Sequence, residues 1–293
     1  MLCDLVRTVT ADGLRLDGAV FAPLEGCGRS GRFDAIVCIH GVAGNFYSSN
    51  LFENLLPHLR GQGVPVLLAN TRGRDTVHYV YHARGRRSMG AAYEVVDDCR
   101  IDLAAWIDFL DRQGLQRVLL IGHSLGAIKI VHAAAVDPRD NIWALIALSP
   151  PRLSGSAFRA GAESGPYLEA LSIARQMVQQ GRGQELFSTP FPFPMLITAE
   201  GFIDKYGPDD RYNIVRHVPQ MNCPSLFVYG QLELDSATTA FAGIDESIRA
   251  AARPGQLIET RVIAAADHNY TGQSRSLAGE LQSWLAAQTA SRT

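Results

Sequence analysis

From residue 35 onward the chain alternates short apolar runs with longer stretches of helical periodicity, and no other feature limits its fold so severely. Strand, helix and strand in succession bring the second strand back parallel to the first. Repeated alternation therefore predicts an α/β architecture, a mostly parallel sheet flanked by helices. Strands are expected at 35–39, 64–69, 117–121, 143–148, 225–229 and 260–264, and helices near 52–61, 93–112, 125–136, 237–252 and 274–288. Ahead of them, residues 5–21 alternate apolar and polar around Ala11-Asp12-Gly13, which reads as a hairpin that adds an antiparallel edge.

The alternation breaks between Pro150 and Pro224, where no continuous β run is evident and Gly, Ser, Pro and aromatics take over. This segment, 151–222, is expected to be a cap inserted after the sixth strand into a core made of 1–150 and 223–293. Within it one helix is expected at 167–180. The stretch Ser188-Thr189-Pro190-Phe191-Pro192-Phe193-Pro194 that follows excludes helix and central strand, because proline lacks the N–H that either would use.

A chain of 293 residues, 47% apolar and 19% charged, is long enough to bury a sizeable core and is not of disordered composition. Its net charge of -2 gives no reason to expect nucleic acid or an anionic membrane as partner. The opening stretch carries charges where a secretory signal needs an unbroken apolar run, and no run approaches membrane-spanning length, so a soluble, cytoplasmic protein is expected. Cys3, Cys27, Cys38, Cys99 and Cys223 are odd in number and lack metal-type pairing, which suits reduced thiols. The expected partner is a small-molecule substrate, and assembly into a homo-oligomer stays open.

The motif that carries chemistry is Gly122-His123-Ser124-Leu125-Gly126, set between the apolar run Val118-Leu119-Leu120-Ile121 and a helical pattern. A serine held at such a strand-to-helix turn needs small residues two places to either side, because the backbone turns sharply and adopts a strained conformation. The amide that follows, from Leu125, then lies at a helix N-terminus, where it can donate to a developing oxyanion. The bland alternative is a glycine-rich turn with a capping serine. Four β-type residues directly before the motif argue against it.

At these residues the sequence resembles the α/β-hydrolase family, as a serine esterase-like member. The resemblance implies Ser124 as nucleophile, with an acid and then a histidine further along the chain. His40-Gly41-Val42-Ala43-Gly44-Asn45 after the run 35–39 matches the family's oxyanion loop, which implies Val42 as second amide donor and a structural role for His40. His268, in Ala266-Asp267-His268-Asn269-Tyr270 after the last expected strand, stands where the family has its base; imidazole also suits the task because it titrates near neutral pH. His58, His78, His82, His132 and His217 read as surface or packing residues. For the acid, Gly230-Gln231-Leu232-Glu233-Leu234-Asp235 offers Glu233 at the family's commonest spacing and Asp235 two places later, and both stay open.

Phe187, Phe191, Phe193, Phe202, Tyr206 and Tyr212, with Met177 and Met195, can line an apolar pocket or form the cap's own small core. The basic stretch Asn70-Thr71-Arg72-Gly73-Arg74, continuing to Arg84-Gly85-Arg86-Arg87, lies where a parallel sheet faces its ligand crevice, though a solvated surface is the preferred reading. The expected activity is hydrolysis of a carboxylic ester or related acyl bond. Thioester, amide or C–C bond cleavage and acyl transfer would use the same residues, and a non-catalytic binding protein is a further alternative. No metal and no cofactor are expected, since paired-cysteine, G-x-x-x-x-G-K-[ST] and an opening G-x-G-x-x-G spacing are all missing, and His78 and His82, although four residues apart, read as surface or packing residues.

Overall fold

The computed structural model describes residues 2–82 and 85–288. Strands β1 (Asp4–Val9) and β2 (Arg15–Phe21) form the antiparallel hairpin expected from the Asp-Gly turn, with Gly13 at φ 82°. The chain then alternates through β3 (Ala35–Ile39), α1 (Asn50–Arg60) and β4 (Val66–Ala69). An unexpected antiparallel hairpin, β5 (His78–His82) and β6 (Gly85–Met89), interrupts it. The alternation resumes with α2 (Cys99–Asp111), β7 (Val118–His123), α3 (Leu125–Val136) and β8 (Ile142–Leu148).

Between β8 and the next sheet strand lie α4 (Gly155–Ala160), α5 (Ser164–Gln179), β9 (Leu186–Thr189), β10 (Met195–Thr198), α6 (Ala199–Tyr206) and α7 (Ile214–His217). The chain returns through β11 (Ser225–Gly230), α8 (Gln231–Asp235), α9 (Ile244–Ala251), β12 (Ile258–Ile263) and α10 (Ser274–Ala287). The eight-stranded sheet runs β1-β2-β4-β3-β7-β8-β11-β12, antiparallel at β1/β2 and β2/β4 and parallel from β4 onward.

The alternation of side chains along a strand divides the core between the two faces of the sheet. Ala35, Val37 and Ile39 join Leu120 and the helices α2 and α3 on one face. Ile36 and Cys38 join Leu119, Ile121, α1 and α10 on the other. Every residue of β3, β4, β7, β8 and β11 is buried, as expected for strands covered on both sides.

Three expectations are corrected. The helix expected at 93–112 starts only at Cys99 after a 3-10 turn, because the backbone before it turns inward and buries the Glu94 carboxylate. The helix expected at 237–252 starts only at Ile244 (α9), after Gly243 in the left-handed region at φ 60°, and the short helix α8 ends ahead of the expected span. The segment after Pro150 does contain β structure: β9 and β10 pair on either side of the proline-rich stretch, which forms their connection. Each has only four residues, too few for a legible pattern.

Candidate active site

Ser124 sits on the turn between β7 and α3 with φ 54° and ψ −121°, a conformation that costs a non-glycine residue about 1–3 kcal/mol. Its surroundings enforce it. The Ser124 N–H donates to Leu148 O of the neighbouring strand at 2.8 Å. A Cβ on Gly122 would lie 2.4 Å from Gly126 O, and one on Gly126 would lie 2.3 Å from Ile39 O. Both glycines are therefore required by close backbone contacts.

The turn between β12 and α10 brings His268 to the serine, 3.0 Å from Ser124 Oγ to His268 Nε2. On the other side, His268 Nδ1 lies 2.8 Å from Glu233 Oε2, so the ring is oriented to donate from Nδ1 and accept from the serine hydroxyl at Nε2. Glu233 is buried in α8, and its other oxygen accepts from the Gly230 N–H at 2.7 Å and from Ser149 Oγ at 2.6 Å. Asp235, the second candidate acid, is not brought to the histidine. Two residues along a helix point to nearly opposite faces, so Asp235 is exposed and accepts from Gln231 Nε2 at 2.7 Å.

Two residues in this arrangement escaped the sequence reading. His123, the unspecified position of the serine motif, donates from Nε2 to the backbone O of His268 at 2.8 Å, and burial, with the neighbouring His268, pushes its pKa down to about 4. Ser149 holds Glu233 from the end of β8, and its only sequence signal was a serine ending an apolar strand.

Val42 and Leu125 line the same cavity as Ser124 and His268. The Leu125 N–H, first in α3, is one of the four without an intrahelical acceptor, and the Val42 N–H has no hydrogen-bond partner among the described residues. His40 is buried beside this loop, donating from Nδ1 to Gly41 O at 2.8 Å and accepting the Thr71 N–H at Nε2 at 3.2 Å. Burial and then the charge of Lys129 hold its pKa down to about 4.

The cavity measures about 420 Å³ and opens away from the serine between Phe158, Phe191, Phe193, Tyr206 and Phe241. Of the aromatics singled out in sequence, Phe191, Phe193 and Tyr206 face it, whereas Phe202 is buried and Tyr212 bonds Asp204. In the basic stretch, Arg72 is buried against Asp102, Asp98 and Asp12, Arg74 pairs with Asp75, and Arg86 lies over the Tyr79 ring. Arg84 lies outside the described residues. His132 and His217 bond each other in a buried pair at 3.1 Å, remote from the serine in the hydrogen-bond network. Among the described residues no helix is long and apolar enough to cross a membrane.

Comparison with known proteins places this geometry in context. A family described as the alpha/beta hydrolase family matches residues 36–287. No curated protein matches the chain. Among solved structures, Pyrococcus furiosus esterase Pf2001 is 15% identical, with 98% of this chain and 91% of that one covered at a TM-score of 0.65. Est1E from Butyrivibrio proteoclasticus, with ferulic acid bound, is 18% identical over 97% of this chain and 100% of that one, at 0.65. The alpha/beta hydrolase GrgF from Penicillium sp. sh18 is 16% identical over 99% and 97%, at 0.66.

Proposed function

Since the chain belongs to the alpha/beta hydrolase family, we propose that it is a serine hydrolase that cleaves a carboxylic ester, or a related acyl bond, of a small, partly apolar substrate. The observation that carries this reading is the hydrogen-bonded line from Ser124 through His268 to buried Glu233, opening on an apolar cavity. Such a line supplies an activated nucleophile and a base whose tautomer is fixed by the acid.

As Ser124 Oγ bonds to the substrate carbonyl carbon, its proton passes to His268 Nε2. The carbonyl oxygen becomes an oxyanion facing the Val42 and Leu125 N–H groups, whose help is worth most in the charged transition state. Collapse breaks the bond to the leaving group, which takes the proton from Nε2. Water then gives a proton to His268 and attacks the acyl carbon; the second collapse frees the acid and returns the proton to Ser124. Glu233 stays ionised throughout and stabilises the imidazolium.

The segment 151–222 serves as a cap in this reading, since Phe158, Phe191 and Tyr206 supply walls for the acyl group. Aromatic rings at the cavity, with Phe158 and Phe191 edge to face at 5.0 Å, favour an aliphatic or aromatic acyl part. The test is covalent labelling with a fluorophosphonate probe. Modification is expected at Ser124 alone, and Ser124→Ala should retain the fold while losing on the order of a million-fold in kcat. Labelling at another serine, or activity of the variant within tenfold of the parent, would overturn the reading.

A further inference from the structure

The sequence holds only two lysines, and both are buried against one carboxylate. Lys129 of α3 is ion-paired with Glu94 Oε1, and Lys205 of α6 lies 3.7 Å from Glu94 Oε2, an ion pair too long for a hydrogen bond. Glu94 Oε2 has no hydrogen-bond partner among the described residues. Burial works against the carboxylate, yet the two ammonium groups hold its pKa below the ordinary value. Room for it is made by Gly73, where a Cβ would fall 2.1 Å from Glu94 Oε1.

A salt bridge buried this deeply is a weak source of stability, because desolvation offsets the attraction, so its placement asks for another explanation. One end of the cluster reaches the oxyanion loop. Lys129 Nζ donates to Thr71 Oγ1 at 2.9 Å, the Thr71 N–H donates to His40 Nε2, and His40 Nδ1 donates to Gly41 O. Gly41 C=O and Val42 N–H are the two ends of a single peptide group. Because that group is planar and trans, holding its oxygen fixes the direction in which its N–H points. The relay works only with His40 neutral, since a proton on Nε2 would face the Thr71 N–H, and the Lys129 charge opposes that proton. The other end reaches the inserted segment: Lys205 lies on α6 beside Tyr206, which lines the cavity, and the Thr198 N–H at the start of α6 donates to Ala92 O at 2.8 Å.

We propose that Glu94, clasped between Lys129 and Lys205, is a positioning residue that makes the aim of the Val42 N–H depend on the seating of the inserted segment. Lys205 brings the segment's contribution, Glu94 passes it to Lys129, and Thr71 with His40 delivers it to the Gly41–Val42 peptide. The inference rests on the serine-hydrolase reading. It concerns a group that acts through others and touches no substrate.

The test uses steady-state hydrolysis of a p-nitrophenyl ester by the full chain. An N–H aimed at the oxyanion contributes mainly in the transition state, so its misalignment lowers kcat and leaves KM nearly unchanged. Lys205→Met and Thr71→Val are each expected to lower kcat at least tenfold with KM within threefold, and Thr71→Ser, which restores the hydroxyl, is expected to stay within threefold of the parent. Breaking a buried pair from one side can prevent folding when it strands a charge. Lys205→Met leaves Glu94 and Lys129 as a one-to-one pair and strands no charge, so it is the decisive protein, expected to fold and to show that loss in kcat. A Lys205→Met variant within threefold of the parent in kcat, a Thr71→Ser as impaired as Thr71→Val, or losses confined to KM would each overturn the proposal. Fluorophosphonate labelling of Ser124 in the parent is read alongside. Its absence sinks the hydrolase reading, and its presence with unmoved variants sinks only the relay.

Discussion

Glu233 and Asp235 are two residues apart on α8, and the 100° turn per helical residue is what separates their fates. Glu233 faces inward to His268, and Asp235 faces water. Glu233→Gln keeps the shape of the side chain but offers an amide that can stabilise the wrong imidazole tautomer; the comparable change in a well-studied serine protease lowers kcat about ten-thousand-fold. A similar loss is expected here, with Asp235→Asn within twofold of the parent. Comparing kcat for the two variants at saturating substrate checks it, and the opposite rank order would move the acid's role to Asp235. At this scale Ser124 and His268 could be singled out because each follows a local cue, a turn after a strand, whereas the same cue left Glu233 and Asp235 both open. His123, Ser149 and Glu94 could not be singled out. Their roles come from partners more than thirty residues away, such as the His268 carbonyl across 145 positions of sequence, and no local pattern records such a meeting.

The elements of the sheet were readable because strands buried on both faces are continuous apolar runs, but the inserted segment obeys different constraints. Its β9 and β10 are four residues each, and its aromatics pack on one another, Phe191 meeting Phe158, Tyr167 and Tyr206 within 6 Å between ring centres. Part of this cluster lines the cavity, so an acyl chain extended by a methylene meets aromatic surface. Each buried CH₂ is worth about 0.8 kcal/mol. Among p-nitrophenyl esters, kcat/KM is expected to rise severalfold per added methylene from acetate until the cavity fills, and Phe191→Ala should flatten that rise. A monotonic fall from acetate onward would mean that the segment narrows the site.

For the molecule as a whole, three buried histidines tie the fold to pH. His40, His123 and His217 all have pKa values pushed down to about 4, in each case chiefly by burial, against about 6.5 in an unfolded chain. Between those values the unfolded chain takes up protons that the folded one refuses, so stability is full above about pH 6.5 and falls as pH is lowered towards 4. Each histidine accounts for at most about 3 kcal/mol of that loss. Thermal melts are expected to give a Tm that declines steadily from pH 7 to pH 4. A Tm constant across that interval would mean that these rings are not held neutral in the folded protein.

Burial of the only two lysines also leaves the described surface without a primary amine, every exposed cationic side chain there being arginine or histidine. Reagents that acylate amines therefore find no side-chain amine on the described native surface. Lys129 and Lys205 become reactive only when α6 lifts away from Glu94 or the chain unfolds, so the rate of their acylation by an N-hydroxysuccinimide ester, followed by mass spectrometry, is a clock for that opening. In native buffer the clock should run far more slowly than in denaturant, and it needs no mutation or substrate to be read.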